Sequence, residues 1–177
     1  MEGIIQGITV VSFLLILHVY IGYPAILWIL SKVIKGKTVH RSEQFEPTVT
    51  LMISCYNEID VVNEKINNAL SLDYPKDKLD IVIISDGSDD GTDEAAKSYA
   101  PEGVSLIRQE GRLGKTSAIN LAMESCKTDI VVFSDANAMY QPDAIRKLVR
   151  NFNDEKVGYV VGAALYTDGQ DNSAAAS

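Results

Sequence analysis

The chain has 177 residues, 46% of them hydrophobic and 23% charged, with 16 Lys and Arg against 24 Asp and Glu for a formal charge of −8. That length holds one ordinary domain and little more. The acidic balance excludes a nucleic-acid partner, which is bound through surplus Lys and Arg, and the apolar share excludes disorder, because it can bury enough surface to offset chain entropy.

The amino terminus differs from the rest. Residues 3–31 contain no Asp, Glu, Lys or Arg. A hydrocarbon core ~30 Å thick is crossed by about 20 helical residues, so this stretch predicts a transmembrane helix with length to spare for tilt. Tyr20, Tyr23 and Trp28 lie in its second half, as an interfacial aromatic belt would. A cleaved signal peptide would instead want a basic start and a shorter apolar core, whereas this chain opens with Met1 and Glu2. Lys32, Lys35, Lys37 and Arg41 follow in a basic juxtamembrane linker, residues 32–46, and this Lys/Arg bias places the remainder in the cytoplasm. From Thr48 onward there are 12 Lys and Arg against 21 Asp and Glu, a module of net −9. Cys55 and Cys126 lie far apart without metal-ligand spacing, so both read as free thiols of a reducing compartment.

The module alternates strand and helix. Residues 48–54 form a β-rich run, and Ile59, Val62, Ile66 and Leu70 then recur at helical spacing. Residues 79–85 make a nearly continuous apolar strand, and Thr92 caps a short helix to Tyr99 with Asp93 and Glu94 in its first turn. A strand over 104–108, a helix over 115–126 with Ala118, Leu121 and Ala122 inward, and a strand over 130–134 come next. Pro142 opens a helix to Phe152, residues 157–165 read as a further strand, and residues 167–177 form a polar, small-residue tail. This alternation predicts an α/β fold with a mostly parallel, Rossmann-like sheet, which takes ligands at the carboxyl ends of its strands. Four polar loops fall there, at 55–58, 86–91, 111–115 and 135–137.

Each loop can be weighed by its chemistry. An EF-hand begun at Asp86 would require Glu at its twelfth position, where Lys97 stands, so calcium storage is excluded. As a nucleotide site, Asp86 can accept from a base imide N–H while Gly87 allows close backbone approach. Residues 109–116 nearly match a phosphate-binding P-loop and residues 130–135 its magnesium-holding strand, which makes a P-loop ATPase or kinase the rival reading. Gln109, however, stands where that loop needs its first Gly. Arg112 and Lys115 suit phosphates, against the plainer reading of solvated surface cations. Asp135 ends an apolar strand, where a buried unpaired carboxylate is costly, so a cation or a donor is expected beside it. Asn137, two residues on, adds a neutral oxygen, and Asp86 and Asp135 on adjoining loops suit one magnesium or manganese ion against a diphosphate.

Taken together, residues 54–58, 85–92, 114–120 and 133–137 resemble, in order and spacing, the donor half of family 2 glycosyltransferases. The likeness covers residues 47–166 and is greatest to the membrane-associated processive branch related to cellulose, hyaluronan and poly-N-acetylglucosamine synthases. It implies the GT-A nucleotide-sugar fold and inverting, Mg2+- or Mn2+-dependent transfer of a hexosyl unit from a UDP-sugar to a growing cell-surface polysaccharide. By the same resemblance Tyr56 would lie against the uracil face, and Glu58 and Asp86 would hold base and ribose. Lys115 would sit near the nucleotide, and Asp135 would bind metal and diphosphate. Asn137 stands where the family pattern has a second Asp. The base carboxylate and Gln-x-x-Arg-Trp motif of the acceptor half match no residue here, so the catalytic base is expected beyond Ser177 and the chain is expected to be a truncated, amino-terminal, donor-binding piece. A membrane scaffold without activity is the third reading.

Overall fold

The computed structural model describes residues 1–34 and 38–163, which fall into two units that divide after Thr38. In the first unit, α1 (Glu2–Leu17), a π-helical turn (His18–Gly22) and α2 (Tyr23–Val33) run as one helix of 32 residues, none of them buried. At ~1.5 Å per residue it is roughly 48 Å long, enough by length and composition to cross a bilayer. The π turn has a local cause. Pro24 has no N–H, and the Tyr23 N–H reaches back five residues to the His18 carbonyl. Gly22 accommodates this turn, since a Cβ there would lie 2.8 Å from His18 Nδ1.

The second unit is built on a four-stranded, all-parallel sheet in the order β3-β2-β1-β4, from β1 (Val49–Cys55), β2 (Leu79–Ser85), β3 (Val104–Arg108) and β4 (Ile130–Asp135). Helices α3 (Ile59–Leu70), α4 (Thr92–Ser98), α5 (Lys115–Met123) and α6 (Ala144–Val149) connect or follow the strands. Central β1 is almost wholly buried, and its period-two alternation divides the core between two faces. Val49, Leu51, Ile53 and Cys55 pack with Val62, Ile66, Ala96, Ile145 and Val149, while Met52 packs with Ile84, Ala118 and Ala122 under α5.

Four expectations are corrected. Leu121 on α5 is exposed, because Ala118 and Ala122, four residues apart, are the positions that meet the sheet. Pro142 precedes α6, which starts at Ala144 and passes at Arg150 into a 3-10 turn, and α5 stops at Met123, where the Ser125 hydroxyl donates to the Ala122 carbonyl. Residues 157–163 form no strand, although Val157, Tyr159, Val160 and Val161 suggest one. They have no neighbouring strand among the described residues, and Gly158 and Gly162 weaken the run. Residues 164–165 of that expected strand, and the expected tail, lie outside the described residues.

The topology also fixes where a ligand can enter. The chain proceeds outward from β1 to β2 to β3, then returns to place β4 on the other side of β1. The strand order reverses between β1 and β4, and an open parallel sheet takes its ligands in the crevice at the carboxyl ends of such a pair.

Candidate functional site

Ser54 pairs with Asp135 across β1 and β4, so the crevice begins at the last residues of both strands. A cleft of about 280 Å³ occupies it, lined by Tyr56, Glu58, Asp86, Lys115, Asp135 and Asn137 together with Ser54, Cys55, Ile84, Ala118 and Ala136. Six of the seven site residues read from the sequence therefore line one cleft. The seventh, Arg112, lays its guanidinium over the Tyr56 ring, with Cζ 4.0 Å from the centroid. That geometry is a cation–π stack, and it uses a face of the ring that a flat heterocycle could also use.

The loops after β1 and β2 are knitted together. Asn57 takes the left-handed conformation at φ 53°, which turns its amide toward Asp89. Its Nδ2 donates to Asp89 Oδ1 at 2.9 Å and its Oδ1 accepts from the Asp89 N–H at 3.0 Å. The Glu58 N–H donates to Thr92 Oγ1 at 2.9 Å, and the Ile59 N–H to Asp90 Oδ2 at 3.0 Å. Asp90 Oδ1 accepts from both the N–H and the hydroxyl of Thr92. Burial acts to raise the Asp90 pKa, but the donors from Thr92 and Ile59 outweigh it and hold the carboxyl below its ordinary value. Asp89 and Asp90 are thus joints of the scaffold, and Asp86 is the acid of this loop that reaches the cleft.

Asp86 is itself 7% exposed and largely committed. Its Oδ1 accepts from Gln109 Nε2 at 2.5 Å and from the N–H groups of Leu113 and Gly114 at 3.0 and 3.1 Å, and its Oδ2 accepts from the Gly114 N–H at 3.0 Å. The carboxylate expected to meet a base therefore also fastens the loop between β3 and α5. Gly87 permits this closeness, since at φ 76° a Cβ would fall 2.9 Å from the Gly111 carbonyl oxygen. The arrangement also bears on the P-loop reading. Amides that such a loop would turn toward phosphate are here taken by a carboxylate, and Gln109 donates to that same carboxylate in place of the first glycine.

Opposite, the charges are less committed. Lys115 Nζ donates to Asp135 Oδ1, with the two side chains 55% and 59% exposed. The expectation of a buried Asp135 is corrected by this: its partner is a solvent-facing ammonium, and so exposed a pair contributes little to stability. A carboxylate that holds an ammonium at the cleft wall, beside an amide oxygen donor at Asn137, is a hard-oxygen set that suits Mg2+ or Mn2+ with further oxygens from water and diphosphate. Among the described residues no three His, Cys, Asp or Glu side chains cluster as a self-sufficient metal cage. Any ion held here would therefore share its coordination with the ligand.

Sequence reasoning missed the residues behind this wall. Lys65 is fully buried on α3, its Nζ donating to the Ala138 carbonyl and lying 4.1 Å from the Tyr140 ring centroid. Its position on the same helical face as Val62, Ile66 and Ala69 was the available signal. Burial pushes its ammonium down to about 8. Burial likewise pushes the Cys55 thiol up to about 12, which leaves it an inert lining group.

Comparison with known proteins agrees with this architecture. The model of "Glycosyl transferase family 2" matches residues 50–176, and the chain belongs to that family. It is 34% identical over 117 residues to a poly-beta-1,6-N-acetyl-D-glucosamine synthase of Staphylococcus aureus, covering 64% of this chain and 28% of that one. To the synthase of the same description from Staphylococcus epidermidis it is 29% identical over 164 residues, covering 82% of this chain and 39% of that one. The chain thus spans well under half the length of these relatives. Among solved structures, a mannosyltransferase from Pyrobaculum calidifontis in complex with GDP-Man and Mn2+ superposes with TM-score 0.72 and 30% identity over 80% of this chain and 43% of that one. TarS of Staphylococcus aureus, solved with UDP-GlcNAc, shares the fold at TM-score 0.53 and 20% identity over 56% of this chain and 29% of that one.

Proposed function

We propose that the chain is the donor-binding part of a membrane-anchored polysaccharide glycosyltransferase that takes a UDP-sugar. The observation that carries this reading is the convergence of an aromatic face, a committed acid and an exchangeable Lys–Asp pair on one cleft at the topological switch point. The cleft offers a ligand three kinds of contact in sequence. Tyr56 presents a flat apolar face for the base, and the remaining acceptor capacity of Asp86 Oδ2 faces a base or ribose donor with Glu58 nearby. Lys115 and Arg112 supply cations for the diphosphate, each by leaving a partner inside the chain. Asp135 and Asn137 would hold Mg2+ or Mn2+, which when bound offsets charge on the leaving diphosphate. The mannosyltransferase solved with GDP-Man and Mn2+ and the synthases named for an N-acetylglucosamine polymer support a sugar nucleotide and a glycan acceptor.

Inverting transfer also needs a base that deprotonates the acceptor hydroxyl as it attacks the anomeric carbon. Among the described residues the cleft carboxylates are Glu58, Asp86 and Asp135, and this reading assigns all three to the donor side. The helix from Glu2 to Val33 anchors the enzyme in the bilayer, and the basic residues after it set the sheet domain on the cytoplasmic side, where UDP-sugars are made. Calorimetric titration of the full chain in detergent micelles with UDP, GDP and ATP, each with Mn2+, tests the assignment. UDP is expected to bind at least tenfold more tightly than ATP. Tight ATP binding with no response to UDP would overturn it.

A further inference from the structure

The proposed cation ligands sit on a loop with few ties of its own. Asp135 and Asn137 are exposed, and the turn that follows is closed by the Ala138 N–H on the Asp135 carbonyl at 3.2 Å. What fixes the loop comes from α3, on the core side. Lys65 Nζ donates to the Ala138 carbonyl and lies against the Tyr140 ring. One turn on, Asn68 brackets the Tyr140 peptide, its Nδ2 donating to the Tyr140 carbonyl at 2.9 Å and its Oδ1 accepting from the Tyr140 N–H at 2.8 Å. The Tyr140 hydroxyl then returns to β4 by donating to the Phe133 carbonyl at 3.3 Å. The loop is held on both sides of its acidic corner.

A fully buried lysine is a costly way to fill space, because Leu or Met would pack there without desolvating an ammonium. Its donor geometry satisfies a loop carbonyl beneath the cleft wall, and its charge is near enough to Asp135 to be felt there. Packing alone explains neither the choice of an ammonium nor its aim. We propose that Lys65 and Asn68 are positioning residues that hold the Asp135–Asn137 corner in the orientation in which it takes a divalent cation together with a diphosphate. This inference rests on the donor-site reading above and adds residues to it that touch neither nucleotide nor ion.

The test separates the two ends of the cleft. UDP affinity is measured for the full chain in detergent micelles with and without Mn2+, uridine affinity is measured by saturation-transfer NMR, and thermal melting is followed in parallel. Lys65→Met is expected to reduce the Mn2+-dependent gain in UDP affinity by about tenfold, the scale of one charge-assisted hydrogen bond, while uridine affinity changes by less than about twofold. Asn68→Ala, which leaves the buried ammonium in place, is expected to reduce the same gain by roughly threefold, the scale of a neutral hydrogen bond. Folded variants that keep the full Mn2+-dependent gain overturn the inference. So does a parallel loss of uridine and Mn2+–UDP binding, which would mark a general structural role. An unaltered chain that binds no UDP in either condition overturns the donor reading itself, and with it this addition.

Discussion

Two rims of the same cleft are built on opposite terms. The rim formed by the loops after β1 and β2 is closed on itself: Asn57 with Asp89, Thr92 with Glu58, and Asp90 with Ile59 and Thr92 leave little polar capacity free. On the other rim, Arg112 and Lys115 rest on Tyr56 and Asp135 in contacts open to solvent. The first arrangement is preorganised, since its hydrogen bonds are already made before any ligand arrives. The second is exchangeable, because a surface ion pair of about 0–1 kcal/mol is readily given up for a phosphate oxygen or a metal ion. A sugar-nucleotide site benefits from both, a fixed floor for recognition and loose cations that follow the charge.

The largest effect should come from the residue that joins the two rims. Asp86→Ala removes the acceptor of Gln109, Leu113 and Gly114, which strands the buried Gln109 amide and two part-buried N–H groups and frees the 109–114 loop. At about 1–3 kcal/mol per stranded donor, UDP binding should fall by on the order of 100-fold and the melting temperature should drop with it. Asp135→Ala on the exchangeable rim is expected to lower Mn2+-supported UDP affinity by about tenfold or more without a comparable change in melting, because the side chain is exposed. Lys115→Met should weaken UDP by about fivefold and leave stability within ~0.5 kcal/mol, the value of an exposed pair. A melting loss equal to that of Asp86→Ala would erase the distinction between the rims.

The smallest expected effect is one of pH and belongs to the closed rim. The folded-state pKa of Asp90 lies below its ordinary value, so its contribution is present above the unfolded pKa and is lost as pH falls through the folded one. Asp90→Asn should therefore lower stability slightly at neutral pH and flatten the acid end of the stability curve below about pH 4. Guanidinium unfolding across pH 3–7 checks both features, and unchanged acid sensitivity would show that Asp90 is not such a joint.

Much of this was legible in the residues. The strands were readable because apolar runs such as 79–85 end abruptly at polar turns, and the convergence of four loops followed from the parallel alternation alone. Division of labour within a motif was not readable. Asp86, Asp89 and Asp90 are chemically alike in sequence, and only the left-handed turn at Asn57 shows that two of them face the neighbouring loop. Lys65 lies on the apolar face of α3, but what it holds depends on how α3 lies over the loop after β4, which no local pattern shows. Leu121 looked like core, yet the small residues Ala118 and Ala122 let α5 lie close to the sheet and leave the larger side chain outside.

Hydrogen–deuterium exchange of the full chain, with and without UDP and Mn2+, tests the two-rim account most directly. Ligand is expected to slow exchange most at Gly111, Arg112, Lys115, Ala136 and Asn137 and to leave Asn57, Glu58, Ile59, Ser88, Asp89 and Thr92 nearly unchanged, since those amides already donate within the chain. Equal protection of both rims, or protection confined to 57–59 and 88–92, would contradict it.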